Sequence, residues 1–327
     1  MQLLDTFGRV HTDLRVSLTD RCNLRCAYCM PAEGLSWLAK PELLTDDEVL
    51  RLVRVAVGLG IREVRFTGGE PLLRPGLAGI VAAVAQLRPR PEISLTTNGI
   101  GLERMAPALV AAGLDRVNVS LDTVNRETFV RLSRRDRLDD VLAGLAGVAA
   151  AGLAPVKVNA VLLGGVNDVE AVELLDYCLA RGYQLRFIEA MPLDAQHAWD
   201  RSRLVGAEEI HDRLSAAFSL TPAVDRGSAP AETWLVDGGP ARVGIIASVT
   251  RPFCAACDRV RLTADGQVRN CLFARTESDL RDSMRAGATD ADLARRWVKA
   301  VLPKKAGHGI NDPTFIQPTR PMSAIGG

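Results

Sequence analysis

Six short runs rich in β-branched and apolar residues, at 14–18, 63–67, 93–97, 116–121, 156–163 and 184–189, recur along the first part of the chain with helical stretches between them. The stretches at 45–59, 138–151 and 168–180 are rich in Ala, Leu and Val. Strict alternation of strand and helix predicts a parallel sheet, because the crossover that returns the chain to a parallel neighbour is usually a helix. The fold class is therefore α/β. Six βα units are too few to close an eight-stranded barrel. A doubly wound sheet is the rival architecture, but no glycine-rich dinucleotide fingerprint follows the first strand. In both architectures ligands favour the loops at the carboxyl ends of the strands.

The pattern changes at 220–231, whose Pro, Gly and Ser content reads as a connector. Beyond it, strand-like runs at 233–236, 241–246 and 259–263 have no helices between them, and residues 264–267 read as a hairpin turn. Two helical stretches follow, at 277–286 and 290–301. The expected organisation is a larger domain over 1–222 and a smaller one over 223–327. No internal repeat and no low-complexity segment accompanies the alternation.

With 47% apolar and 24% charged residues, the chain of 327 has the profile of a globular protein. A formal net charge of +1 argues against a nucleic-acid or membrane surface, both of which show a strong basic excess. Any anion site must therefore be local. No signal-peptide pattern opens the sequence and no apolar run is long enough to cross a bilayer, so the expected location is the cytoplasm. In that compartment seven cysteines read as metal ligands or buried thiols rather than disulfides. Cys178 lies in an apolar helical pattern and reads as a small buried hydrophobe.

The other six fall into two triplets. Cys22, Cys26 and Cys29, in RCNLRCAYC, follow the first predicted strand. Three thiolates suit an iron–sulfur cluster with one iron left open to a small molecule. A zinc loop completed by a distant histidine is the alternative. Residues 67–71, TGGEP, stand at the end of the second strand, where Gly68 and Gly69 let backbone approach a ligand closely. Together these motifs resemble the radical S-adenosylmethionine superfamily. The resemblance implies a partial barrel, open on one side, and a cluster whose free iron is chelated by the methionine moiety.

Cys254, Cys257 and Cys271 form the second triplet, for which His308 is the histidine that a zinc site would recruit. Between the cysteines, alternation along Asp258-Arg259-Val260-Arg261 points both guanidinium groups to one side, as an anion would require. Both triplets, TGGEP, DRVRL and the terminal Gly326-Gly327, taken in order, resemble the GTP 3′,8-cyclase family of molybdenum cofactor biosynthesis over nearly the whole chain.

That resemblance implies two [4Fe-4S] clusters, held by Cys22, Cys26 and Cys29 and by Cys254, Cys257 and Cys271. It implies S-adenosylmethionine at Tyr28, Gly69, Ser120 and Met191. GTP would meet Arg15, Arg65, Thr96, Lys157, Arg186, Arg259 and Arg261, of which Arg15, Arg259 and Arg261 carry the catalytic assignment. A triphosphate needs several cations and donors, and a charged side chain on a strand needs a polar lumen to avoid a heavy desolvation cost. One departure from the family pattern is Glu63, where relatives often have a basic residue, two places before Arg65. The family expectation extends to a tail reaching the active site, a flavodoxin or ferredoxin as reductant, cyclic pyranopterin monophosphate synthase as acceptor of the product, and a homodimer. A radical peptide maturase with an auxiliary cluster and a zinc-stabilised binding protein are the two rival readings.

Overall fold

The computed structural model describes residues 1–223 and 226–326. The first six strands are β1 (Asp13–Ser17), β2 (Glu63–Thr67), β3 (Glu92–Thr97), β4 (Arg116–Ser120), β5 (Lys157–Leu162) and β6 (Gln184–Glu189). Each matches an expected strand to within a residue at either end. They lie in sequential order, all parallel. Helices α1 (Asp46–Gly58), α2 (Leu77–Ala85), α3 (Leu102–Ala111), α4 (Arg126–Ser133), α5 (Leu138–Ala150), α6 (Ala171–Leu179) and α7 (Ala207–Ser215) intervene or follow. The stretch expected as one helix over 168–180 begins instead as a 3-10 turn, Asp168–Glu170. There the Asp168 carboxylate accepts from the Gly165 N–H at 2.8 Å and so competes with a regular first turn.

Local signals explain the elements. In α1, Thr45 caps the helix and Glu48 returns the bond to the Thr45 N–H at 2.8 Å, a capping box. Its buried face is Val49, Leu52, Val53 and Ala56. Along the strands one set of alternate positions is apolar and fully buried beneath the helices: Leu14 and Val16, Val64 and Phe66, Ile93 and Leu95, Val117 and Val119, Leu185 and Phe187. The other set is polar and faces the concave side.

The remaining strands are β7 (Leu220–Pro222), β8 (Glu232–Val236), β9 (Arg242–Ile246), β10 (Arg259–Leu262), β11 (Gln267–Arg269) and β12 (Ser278–Asp279), with helices α8 (Arg281–Arg285), α9 (Asp290–Val301) and α10 (Met322–Ile325). The stretch over 220–231 is not connector throughout: its first residues form β7, paired antiparallel with β8. The expected hairpin at 264–267 joins β10 to β11, and Gly266 takes the left-handed conformation it needs, φ 80°.

Among the described residues one sheet unites twelve strands, in the order β12-β11-β10-β1-β2-β3-β4-β5-β6-β9-β8-β7. The C-terminal segment divides between its edges, β10 pairing parallel with β1 and β9 parallel with β6. The core is a (β/α)6 partial barrel of parallel strands. Among the described residues no helix is long and apolar enough to cross a membrane.

Candidate active site

The cysteine loop after β1 and the TGGEP loop after β2 are locked together. The Gly69 N–H donates to the Thr19 carbonyl and the Glu70 N–H to the Arg21 carbonyl, both at 2.7 Å. A Cβ at Gly69 would lie 2.3 Å from the Arg21 oxygen. The close approach that requires glycine at this position is therefore to the cysteine loop itself. Glu70, fully buried, ties the turn to the end of β3: it accepts from Thr97 Oγ1 and the Asn98 N–H, each at 2.7 Å.

Cys22, Cys26 and Cys29 line a cavity of about 130 Å³ with Gly69, Ser120 and Thr96. Burial pushes the Cys22 thiol up to about 11 and Cys29 to about 12, and Cys26 well above its ordinary value. Thiols in this setting become thiolates when a metal draws off their protons. A three-thiolate set around a glycine-lined cavity fits an iron–sulfur cluster. Among the described residues no three His, Cys, Asp or Glu side chains close around a single ion.

A second cavity, of about 300 Å³, adjoins the first and shares Tyr28 and Met322 with it; Met191, Asp194 and Trp199 line its far side. The Tyr28 hydroxyl donates to Asp122 Oδ2 at 2.7 Å, and Asp122 Oδ1 accepts from the Val161 N–H at 2.8 Å. Burial raises Asp122 to about 6. Asp194 orders the outer loop by accepting from the backbone of Gln196, Ala198 and Trp199. Of the four residues expected to meet S-adenosylmethionine, Gly69 and Ser120 stand in the smaller cavity, Met191 in the larger and Tyr28 in both.

The concave face carries the cations. Register aligns Arg261, Arg15, Arg65 and Ser94 across β10, β1, β2 and β3. Arg65 Nε donates to Ser94 Oγ at 3.2 Å, Asn118 Nδ2 to Thr96 Oγ1 at 3.3 Å, and Arg186 to Asn118 Oδ1 at 2.6 Å. The seven residues expected for GTP thus converge on one surface. Burial, then the Arg65 charge, pull Arg15 well below its usual value. Burial lowers Arg186 to about 9, Lys157 to about 8 and Arg261 to about 10. Asp13 is the acid facing Arg15 and Arg259, at 3.9 and 3.7 Å; burial pushes its carboxyl up, but the surrounding guanidinium groups together hold it low. Arg15 Nε, Ser17 Oγ, Asn159 Oδ1 and Arg186 Nε are buried with no protein partner. Such a surplus of positive charge and orphaned polar atoms fits a polyanion with further acceptors and donors. Glu63 is taken up at the rim, paired with Arg116 at 3.1 Å, while Arg116 also pairs with Glu92.

At the second triplet, Cys254 sits on a short 3-10 turn and Cys257 directly follows it. His308 does not offer a fourth ligand here. Its Nε2 lies 3.0 Å from the Ser248 carbonyl and its Nδ1 accepts from the Ile310 N–H at 3.1 Å, so both ring nitrogens are engaged. The zinc alternative loses its histidine. Arg259 stacks on Phe253 at 5.1 Å and approaches Cys257 Sγ at 3.8 Å, while Arg261 is charge-coupled to Cys271.

The chain end joins the two triplets. Ser323 lies against Cys29, where it offsets part of the effect of burial. Ile325 packs in the cluster of Leu193, Val249, Phe273 and Ile310 that abuts Cys271. The Gly326 carbonyl accepts from Arg261, and a Cβ at Gly326 would lie 2.7 Å from Thr67 Cγ2. Gly327 lies outside the described residues. Sequence reasoning missed Asp13, Asn118 and Asp122. Asp122, two residues past the end of β4 at Ser120, could have been found as a carboxylate at a strand's carboxyl end.

The profile of the Radical SAM superfamily matches residues 16–178, and that of Molybdenum Cofactor Synthesis C matches 183–310. A GTP 3′,8-cyclase of Streptomyces coelicolor is 67% identical, over 99% of this chain and 96% of its own. A GTP 3′,8-cyclase of Mycobacterium sp. strain KMS is 64% identical, over 99% of this chain and 93% of its own. Among solved structures, Streptococcus suis SuiB bound to S-adenosylmethionine superposes with a TM-score of 0.60 at 14% identity, over 89% of this chain and 64% of that one, a likeness of fold. Identity of that order along the full length, with both cysteine triplets lying against the one cation-lined face, means that the chain belongs to the GTP 3′,8-cyclase family of radical S-adenosylmethionine enzymes.

Proposed function

We propose that this protein cyclises GTP between C3′ and C8, giving (8S)-3′,8-cyclo-7,8-dihydroguanosine 5′-triphosphate, the first step of molybdenum cofactor biosynthesis. The observation that carries the reading is the concave cation-rich face bounded by a cysteine triplet on each side and bridged by the chain end. A reduced cluster held by Cys22, Cys26 and Cys29, with S-adenosylmethionine beside it, would supply the radical chemistry needed to take the 3′ hydrogen of the ribose, so that C3′ could close on C8.

The chain's own residues hold and orient. Cys22, Cys26 and Cys29 would hold the first cluster, and Cys254, Cys257 and Cys271 the second, on whose side of the face the guanine would lie. Tyr28, Gly69, Ser120 and Met191 seat S-adenosylmethionine. Arg15, Arg65, Thr96, Lys157 and Arg186 bind the triphosphate by charge-assisted hydrogen bonds, each such bond contributing about 1.5–3 kcal/mol. Arg259 and Arg261 steer the nucleotide between the triplets, and with Arg15 assist the electron and proton that complete the product. Holding C3′ against C8 is the larger part of the task, since ring closure needs near-attack geometry. Residues 1–222 form the catalytic part and 223–327 carry the second cluster. A flavodoxin or ferredoxin is the reductant, cyclic pyranopterin monophosphate synthase takes the product, and the enzyme works as a cytoplasmic homodimer.

The test is an anaerobic reaction of the reconstituted protein with GTP, S-adenosylmethionine and a strong reductant. Expected are 5′-deoxyadenosine and a new nucleotide with the mass of GTP but a different retention, because the hydrogen lost to the radical is replaced by one electron and one proton. Deoxyadenosine without a new nucleotide would defeat the proposal.

A further inference from the structure

Behind the second triplet runs a line of buried polar groups that the reaction above does not use. Lys304, in the segment after α9, is 3% exposed. Its ammonium donates to the Arg259 carbonyl at 2.6 Å and to Cys257 Sγ at 3.3 Å, and lies 3.4 Å from His11 Nδ1. An ammonium has no lone pair, so it is the donor to Nδ1. The proton of the His11 ring then sits on Nε2, which donates to Asp5 Oδ2 at 3.1 Å. Both His11 and Asp5 are buried.

Further donors hold Asp5. It accepts from Arg9 Nε at 2.6 Å and from the Phe7 N–H at 2.9 Å. The Nη atoms of Arg9 donate to the carbonyls of Cys254 at 2.7 Å, Lys305 at 2.6 Å and Ala306 at 3.0 Å. The first residues of the chain thus clamp the cysteine loop and the Lys304 segment together. His11 and Lys304 are 293 positions apart in sequence. A buried cation needs a counter-charge close by, and Asp5 is separated from Lys304 by a whole imidazole ring. The group in contact with its ammonium that carries negative charge once it ligates a metal is Cys257 Sγ, at 3.3 Å.

We propose that Lys304, oriented by the His11–Asp5 pair, is a positioning residue for the C-terminal iron–sulfur cluster: its fixed positive charge against Cys257 stabilises the reduced cluster and raises its reduction potential. Net charge and hydrogen bonds to the sulfurs are the levers by which a protein sets such potentials. The inference rests on the reading that Cys254, Cys257 and Cys271 hold a cluster.

The test uses the full chain, reconstituted without oxygen, in a background carrying Cys22→Ala, Cys26→Ala and Cys29→Ala so that only the C-terminal cluster remains. Iron per chain is measured first, then the midpoint potential by titration followed with electron paramagnetic resonance. Lys304→Gln keeps a hydrogen-bond donor and removes the charge, and is expected to shift the midpoint downward; Lys304→Arg keeps the charge and stays near the parent. Loss of iron in Lys304→Gln but not in Lys304→Arg also supports the proposal, since the charge is then what retains the cluster. A parental midpoint in a fully loaded Lys304→Gln protein overturns it, as does loss of iron in both variants, which would mark a packing role. A background protein that binds no iron overturns the cluster assignment itself, and the lysine proposal with it.

Discussion

Lys157, on the concave face, is where burial would couple to the proposed binding of substrate. Burial, with Arg186, Arg116 and Arg65 around it, lowers its ammonium to about 8 from the 10.5 of an exposed lysine. Between those two values the unfolded chain binds more protons than the folded one, so this group makes folding less costly as pH rises. For the proposed contact with the triphosphate the sign is opposite: that contact needs the charged form, which is lost as pH rises through about 8. The KM for GTP is expected to climb above that pH. Lys157→Met should raise KM roughly tenfold near neutrality, for the loss of one charge-assisted hydrogen bond, and remove this part of the climb. The pH profile of kcat/KM reads the free enzyme, and an unchanged profile in the variant would remove Lys157 from the triphosphate site.

At the level of elements, the short terminal helix α10 and the glycine after it have the most specific geometry. Gly326 has φ 82°, is buried, and gives its carbonyl to Arg261, while a Cβ there would press on Thr67. Removing Gly326 and Gly327 should therefore abolish turnover while both clusters still assemble, because no cysteine is touched. Iron content and product formation, measured on the same sample, check this; full turnover would show the tail to be dispensable. The larger elements were legible because their periods are strong: the six parallel strands and α9, expected at 290–301, stand where the sequence pattern put them. Two- and three-residue strands such as β12 and β7 were not legible. They exist because a neighbouring edge supplies partners, not because Ser278–Asp279 or Leu220–Pro222 favours a strand.

Across the whole molecule, the C-terminal segment is built into the barrel at both edges. Val243, Ile245, Val260, Leu262, Leu293 and Trp297 belong to the same apolar cluster as Leu14, Phe66 and Phe187. At about 1.5–3 kcal/mol per buried side chain, their loss removes on the order of 10 kcal/mol, comparable to the roughly 5–15 kcal/mol that keeps a domain folded. A fragment ending at residue 222 would also bare the edges of β1 and β6, which template pairing with other chains. That fragment is expected to aggregate on expression. A monomeric fragment with a cooperative melt, seen by light scattering and circular dichroism, would refute this account of the fold.

What the sequence determined by itself was whatever is written in local spacing: strand and helix periods, the two cysteine triplets, the glycine turn, and the set of strand-borne cations. Those signals depend on neighbours a few positions apart, and they sufficed for fold class and family. Only the tertiary structure decided which edges the C-terminal strands would take and that Glu63 would find Arg116. It also decided that both ring nitrogens of His308 would be occupied, and that Asp5 and His11 at one end of the chain would meet Lys304 at the other. Each of these pairs elements distant in sequence, and such contacts are selected by packing and charge compensation across the folded molecule, for which no stretch of residues carries a local mark.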